Sequence, residues 1–206
     1  MSDATTRGNC FKLLAACFYE PDRELFIEER VCHNLQNLLD GWAAGASKAA
    51  NKMNLNLKAA NQDNLRVDHA ALFVGPCELI APPYGSVYLE KQRQVMGNST
   101  MEVLQHYENA GLSVDVKDAP DHIAIELEFM HFLCMKEAES SASGEEEDAE
   151  KFRELQRDFF LTALQWVPQF CSAIREGITS PFYTELANCL ERFMVTCRQL
   201  YDKQSE

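Results

Sequence analysis

The chain has 206 residues, a length that accommodates one or two domains, and its hydrophobic fraction of 46% and charged fraction of 25% are typical of a soluble globular protein. Its formal net charge of −13 repels phosphate backbones, so we expect no nucleic-acid partner. Apolar runs stay below the roughly 20 residues of a membrane span, and no basic flank precedes an apolar core at the N-terminus. We therefore expect a cytoplasmic protein without membrane insertion.

Apolar residues at helical spacing predict helices through most of the chain. In the first half the predicted helices cover residues 11–18, 25–39, 45–62 and 65–73. Proline lacks an amide hydrogen and disfavours helix before it, so Pro21 and Gly75-Pro76 are expected to end two of them. In the second half, Ser99 and Glu102 form a capping-box signature that predicts the start of the next helix.

Further along, Val114 and Val116 predict a short extended piece, and Asp118 is a candidate N-cap for a helix with Pro120 in its first turn. The low-complexity run Ser140–Glu150 holds five acids and predicts a flexible surface loop. Two more helices are expected before the C-terminus. The sequence as a whole predicts an all-α fold, a single domain over residues 1–206 that is a compact assembly of about nine to ten helices.

Eight cysteines are spread along the chain without any Cys-x-x-Cys pair. Zinc and iron–sulfur sites usually contain closely spaced cysteines, so this spacing argues against a metal cluster. Cys10 and Cys17 are seven residues apart, and Cys189 and Cys197 are eight apart, which keeps each pair on one helical face. We expect reduced thiols that pack as small apolar side chains, and we predict neither a metal nor a cofactor.

The segment Leu72–Leu89 does not have the composition of an ordinary linker. It contains three prolines and two glycines together with nine large apolar or aromatic residues, although a surface loop is normally polar. Proline-stiffened apolar loops of this kind are often binding loops, and Pro82-Pro83 could present Tyr84 with little entropy left to lose on binding. The residues alone leave two possibilities open, a binding surface and a loop that fills a gap between helices.

The segment Asp118–His122 crowds two acids and a histidine at the expected start of a helix. One interpretation is helix capping by Asp118 or Asp121, with His122 partly exposed. The other is that Asp121 offers its carboxylate to a guanidinium group of a partner, with His122 adding a contact that titrates near neutral pH.

Motifs for catalysis are sparse. Glu128 and His131 fit the Glu-x-x-His pattern of di-iron helix bundles, but that site needs a second copy, and the sequence has none. His122 and Glu126 are four residues apart and could share a metal, although two ligands do not make a site. Phosphate-binding glycine loops and nucleophile elbows are also missing from the sequence. A metal-dependent helical enzyme stays as an alternative only.

Four segments, taken in order, resemble the TorD/DmsD family of redox-enzyme maturation chaperones. In that family a helix ending in Leu-Phe precedes Gly-Pro, as in Leu72–Pro76 here. A Pro-Pro-aromatic-x-Ser-Val-aromatic-Leu stretch follows, as in Pro82–Leu89, although Tyr84 and Tyr88 stand where relatives often carry tryptophan. Met96–Thr100 matches the family's Gly-x-Ser-Thr, and Pro120–His122 resembles its second signature.

The resemblance implies an all-α chaperone without catalytic activity. Such a chaperone binds the twin-arginine signal peptide of a molybdopterin oxidoreductase of the dimethyl-sulfoxide reductase type. It holds the apo form of that client in the cytoplasm until the cofactor is inserted, before export. Carried over by position, the signal-peptide-binding residues are Leu72, Phe73, Gly75, Pro76, Pro83, Tyr84, Ser86, Tyr88, Asp121 and His122.

Two questions stay open within the resemblance. The chain could belong to the nitrate-reductase branch, whose members act on the body of the client rather than on its leader. We expect a monomer, with a domain-swapped dimer as the alternative, because a long mid-chain loop permits exchange but does not require it.

Overall fold

The computed structural model describes residues 3–75, 79–91, 95–113, 119–177 and 179–203. Within these ranges the chain forms eleven α-helices, nine of them with seven or more residues, and no β-strand. The all-α prediction and the expected number of helices are confirmed. Over the same ranges, no helix combines the length and the apolar character that crossing a membrane requires.

The helices form two compact units, each built from two stretches of chain. The first unit comprises residues up to Ala15 and Tyr84–Trp166, and the second comprises Ala16–Pro83 and the chain from Val167 onward. The first unit contains all but the last residue of α1 (Ala4–Ala16), then α6 (Gly85–Leu89), α7 (Asn98–Asn109), α8 (Ile123–Ser143), α9 (Glu146–Thr162) and a 3₁₀ turn at Leu164–Trp166. The second unit contains α2 (Arg23–Glu28), α3 (Val31–Leu39), α4 (Ala44–Ala59), α5 (Gln62–His69), a π-helical turn at Ala70–Val74, α10 (Val167–Gly177) and α11 (Pro181–Lys203). The expectation of a single domain stays a prediction.

The core of the first unit lies where α8 packs along α9. The ring of Phe129 is 4.5 Å from that of Tyr107 and 4.8 Å from that of Phe159, in edge-on contacts that favour aromatic pairs. Elsewhere in this unit Arg7 of α1 donates to Glu137 of α8 over 2.7 Å, with both side chains buried. A buried ion pair of this kind fixes the two helices, because either charge alone would be left without compensation.

The core of the second unit is built by α4 packing against α3 and α11, and by α10 packing against α11. A group of aromatic rings lies around Phe73, whose centroid is within 6 Å of the rings of Phe18, Phe170 and Tyr183. In the two units together, all seven cysteines of the described ranges are buried. Their packing as small core side chains is confirmed for these seven.

The predicted acidic loop at residues 140–150 is wrong. α8 continues to Ser143, and α9 begins at Glu146, so only Gly144 and Glu145 separate two helices. Gly144 adopts a left-handed conformation (φ 75°), and its amide donates to Ser140 and Ser141, which ends α8 in a tight C-cap. The acids then occupy the first turn of α9, where the helix dipole favours negative charge.

Two predicted helix starts also differ from the structure. α7 begins at Asn98, and the amide and hydroxyl of Ser99 donate to Glu90 rather than forming a capping box with Glu102. α8 begins after Pro120, at Ile123, and its N-cap is His122. The predicted extended piece at residues 114–116 and the N-cap role of residue 118 fall outside the described residues.

Candidate functional site

The two signature segments of the first unit lie against each other. Tyr84 and His122 form an antiparallel β-bridge, and the amide of Gly85 donates to the carbonyl of Asp121 over 2.9 Å. The rings of Tyr84 and His122 meet edge-on with centroids 5.4 Å apart. We call Tyr84, Gly85, Ser86, Asp121 and His122 the bridge cluster. It joins residues almost forty positions apart in the sequence, directly before α6 and α8.

Asp121 lies in the interior of this cluster, with only 1% of its surface exposed. Its Oδ2 accepts a hydrogen bond of 2.7 Å from the amide of Ser86 and so caps the first turn of α6. Its Oδ1 has no hydrogen-bond partner among the described residues. Since α6 has five residues, it is too short to be stable alone, and this carboxyl contributes to holding it in place.

His122 has a structural role at the start of α8. It is 8% exposed, and its Nδ1 accepts from the amide of Ala124 over 3.2 Å, as an N-cap does. The cap of α8 is therefore His122 rather than Asp121, whose carboxyl instead accepts from the first turn of α6. Tyr84 and Tyr88 are both half-buried, and the hydroxyl of Tyr88 is itself buried.

A second acid lies beneath α6 and was not among the predicted site residues. Glu126 is fully buried, and its Oε2 accepts a hydrogen bond of 3.0 Å from the indole Nε1 of Trp166. Burial raises the pKa of Glu126 well above its usual value, and the nearby Asp121 raises it further. The sequence carried a signal for this site, because Glu126 falls on the same helical face as Ile123 and Met130, which periodicity marks as buried.

Trp166 contacts α6 at two positions. Its indole stacks on Tyr88 with centroids 5.3 Å apart and an interplanar angle of 19°. A Cβ added to Gly85 would lie 2.8 Å from Trp166 Nε1, so only glycine allows this approach of helix and indole. Gly85 belongs to the segment that resembles the family signature, and the structure gives the physical reason for a glycine at this position.

An open cavity of about 700 Å³ lies at the end of α6 in the first unit. Its lining includes the apolar side chains of Leu89, Val95 and Met96, all of them exposed, together with the carboxyl groups of Glu90 and Glu102. The amide and hydroxyl of Ser99 both donate to Glu90 and lower the pKa of that carboxyl, which keeps it negatively charged. The cavity therefore combines apolar surface with negative charge.

The remaining predicted residues lie in the second unit and are mostly interior. Leu72 is fully buried and Phe73 is 4% exposed within the aromatic group described above. The amide of Ala81 donates to the carbonyl of Leu72 in the π-helical turn over 3.0 Å. Pro83 is buried and Gly75 half-buried, whereas residue 76 lies outside the described ranges. Direct contact of these side chains with a peptide stays a prediction.

The metal-enzyme alternative gains no support from the geometry. His131 Nδ1 lies 3.0 Å from the carbonyl of Gly8, and burial lowers the pKa of this histidine. Glu126 and His122 are occupied by the indole and the helix cap described above. Across the described ranges, no group of three or more His, Cys, Asp or Glu side chains is placed to hold a metal ion.

The described chain is an all-α protein, and its fold recurs in a protein described as belonging to redox-enzyme maturation. A solved structure described as a redox enzyme maturation protein of Archaeoglobus fulgidus has the same fold, with a TM-score of 0.57 and 22% identity, over 89% of this chain and 92% of that one. The family described as nitrate reductase delta subunit matches residues 39–172, and the chain belongs to this family, that of the TorD/DmsD proteins.

Relatives within the family are named as chaperones. A protein of Haemophilus influenzae named as a Tat proofreading chaperone, DmsD, is 27% identical over 181 residues, which cover 85% of this chain and 82% of that protein. A selenate reductase assembly chaperone of Thauera selenatis is 39% identical over 90 residues, or 41% of this chain and 46% of that protein. These members are named for assembly or proofreading rather than for catalysis. The predicted family is confirmed.

Proposed function

We propose that this protein is a cytoplasmic chaperone that binds the twin-arginine leader of a molybdoenzyme of the dimethyl-sulfoxide reductase type. The observation that carries the proposal is the bridge cluster, which brings two signature segments together beside the half-buried Tyr84 and Tyr88. Binding would retain the apo form of the client until its cofactor is inserted. The family membership and the names of the relatives support this assignment.

The chemistry of a twin-arginine leader complements the cavity at the end of α6. Such a leader has two guanidinium groups followed by an apolar stretch. Glu90 and Glu102 offer carboxylates suited to bidentate hydrogen bonds with guanidinium groups, while Leu89, Val95 and Met96 offer apolar surface. A formal net charge of −13 would also steer a basic peptide toward the protein and increase its association rate.

Asp121 acquires a different role in this proposal from the one expected of it. Pairing with a leader guanidinium would require this nearly inaccessible carboxyl to be uncovered and its bond to the Ser86 amide to be broken. We assign Asp121 and His122 to holding the Tyr84–Tyr88 segment in place, and the guanidinium contacts to Glu90 and Glu102. The mechanism is steric: a bound leader cannot reach the translocase, and folding of the client or competition for the leader releases it.

Isothermal calorimetry with a synthetic twin-arginine leader tests the proposal. Replacing both leader arginines by lysine is expected to weaken binding about tenfold, because lysine cannot form the bidentate contact. The E90Q/E102Q double variant should weaken binding about three- to tenfold, as expected for two partly exposed charged contacts. The matched control is E146Q/E147Q, which removes the same charge from the exposed first turn of α9 and should bind as the wild type does. Absence of binding to every leader of the host's molybdoenzymes would refute the proposal.

A second candidate is an assembly chaperone of the nitrate-reductase branch, acting on the client body. The description of the matched family as nitrate reductase delta subunit favours it. Capture of a client that lacks its leader separates the two functions. Undiminished capture of the leaderless client supports the second candidate, and capture that needs the leader supports the first.

A further inference from the structure

The carboxyl group of Glu126 lies in an environment that disfavours charge. Its side chain is fully buried in α8, its Oε2 accepts from Trp166 Nε1 over 3.0 Å, and its Oε1 has no hydrogen-bond partner among the described residues. Asp121, also buried, lies close enough to oppose ionisation of Glu126. An apolar side chain would pack here without these disadvantages. Packing alone therefore does not explain why an acid occupies position 126.

The indole of Trp166 supplies that explanation. An indole N–H that is buried needs an acceptor, and Glu126 is the acceptor that the structure places beside it. The hydrogen bond fixes the orientation of the ring within its plane. The same ring stacks on Tyr88 and lies against Gly85, which are three residues apart on one face of α6. The orientation of the indole consequently sets the position of this short helix.

We propose that Glu126 is a positioning residue that, through Trp166, holds α6 in the conformation that offers Tyr84 and Tyr88 to the leader peptide. The inference rests on the proposed leader binding and extends it to two residues that do not contact the peptide. Asp121 caps one end of α6 through Ser86, and Glu126 supports its inner face through the indole. Two buried acids thus hold one short helix.

The experiment compares E126L, which removes the acceptor, with E126Q, whose amide oxygen can still accept from the indole. All variants carry W42F, so that Trp166 gives the single indole N–H resonance in a ¹H–¹⁵N spectrum. In E126L we expect this resonance to move upfield and leader affinity to fall about three- to tenfold, the range of one lost hydrogen bond. In E126Q we expect both to be restored toward the wild-type values.

The E137Q variant controls for a general loss of stability. Glu137 is a buried acid of the same helix, paired with Arg7 and remote in sequence from α6, so E137Q should lower stability and leave the Trp166 resonance and the leader affinity unchanged. W166F serves as the second variant, which keeps the test decisive if E126L is unfolded. It keeps the aromatic ring and removes the N–H, and it should weaken leader binding to the same extent as E126L.

The outcomes separate this inference from the proposed function. A wild-type protein that binds no leader refutes the proposed function. If the wild type binds a leader, and E126L or W166F binds it equally well, the positioning role is overturned while leader binding stands. An indole resonance that E126L leaves in place overturns the Glu126–Trp166 contact on which the inference depends.

Discussion

Replacing Glu126 by glutamine is expected to stabilise the protein increasingly as the pH rises. The wild-type carboxyl is fully buried, and burial followed by the nearby Asp121 raises its pKa well above 4.5, against a smaller opposing effect of the Trp166 hydrogen bond. The folded protein therefore holds this proton more tightly than the unfolded chain does. The stability that the neutral carboxyl contributes is complete below pH 4.5 and is lost as the pH rises toward the folded-state pKa.

The magnitude follows from the linkage of one proton. In the window between the unfolded and folded pKa values, the free energy of unfolding of the wild type falls by about 1.4 kcal/mol per pH unit. The glutamine variant has no proton to lose at this position and lacks that decrease. Each pH unit of this window therefore changes the difference between the two proteins by a sizeable share of an ordinary stability of about 5–15 kcal/mol.

Urea unfolding of both proteins at a series of pH values from 5 to 8 measures this difference, provided that the slope m is the same for both. A difference that increases with pH and then levels off supports the account, and the pH at which it levels off reports the folded-state pKa. In an Asp121→Asn background the levelling is expected at lower pH, because one contribution to the raised pKa is gone. A difference independent of pH would refute the reasoning.

Three further outcomes are expected. Gly85→Ala should lower the free energy of unfolding in urea by about 1–3 kcal/mol, because its Cβ would meet the indole nitrogen of Trp166 at 2.8 Å. The control Gly45→Ala faces only a flexible side chain and should stay within about 1 kcal/mol of the wild type. Equal effects of the two substitutions would contradict this prediction. Asp121→Ala should cost about 1–3 kcal/mol by leaving the Ser86 amide unpaired, and an unchanged unfolding midpoint would show that the cap is unimportant. In a Cys77→Ser variant, a thiol reagent should react far more slowly with the native protein than with the urea-unfolded protein. The reason is that the remaining cysteines are buried, and burial raises the pKa of three of them to about 12. These three are Cys10, Cys134 and Cys171. One equivalent of fast-reacting thiol in the native protein would contradict this prediction.

The helices could be predicted from periodicity because their apolar faces are regular, and because glycine or proline often marks their ends. α5 and its π-helical turn end at Val74, directly before Gly75-Pro76, as predicted. The acidic run at residues 140–150 misled the prediction because its composition resembles that of a flexible loop. Helix capping depends on position rather than on composition, and here Gly144 ends one helix while the acids favour the start of the next.

The segments of the candidate site could be identified from the sequence, but the way in which they contact each other and which of their side chains are buried could not. The motifs around Tyr84 and His122 identified two segments, yet their bridge joins residues far apart in the chain, which no local pattern encodes. An acid before a helix is equally compatible with capping and with an exposed charge, so the burial of Asp121 could not be foreseen. Apolar residues such as Leu72 likewise suit a core and a groove alike, and the structure places this one in the core of the second unit.

The acids around the site fall into two groups, one buried and one lining the open cavity, and we assign them different roles. Asp121 and Glu126 are inside, where a hydrogen bond to the backbone or to an indole makes them specific supports of α6. Glu90 and Glu102 line the open cavity, where a carboxylate can meet a guanidinium group without first being uncovered. Losing an interior acid should therefore lower stability and affinity together. Losing Glu102 should lower affinity alone, whereas losing Glu90 should lower stability as well, because Glu90 accepts from the amide and the hydroxyl of Ser99. Measuring both quantities for each of the four substitutions distinguishes support from recognition, and a loss of affinity without any loss of stability in Asp121→Ala would return that residue to the surface that reads the leader.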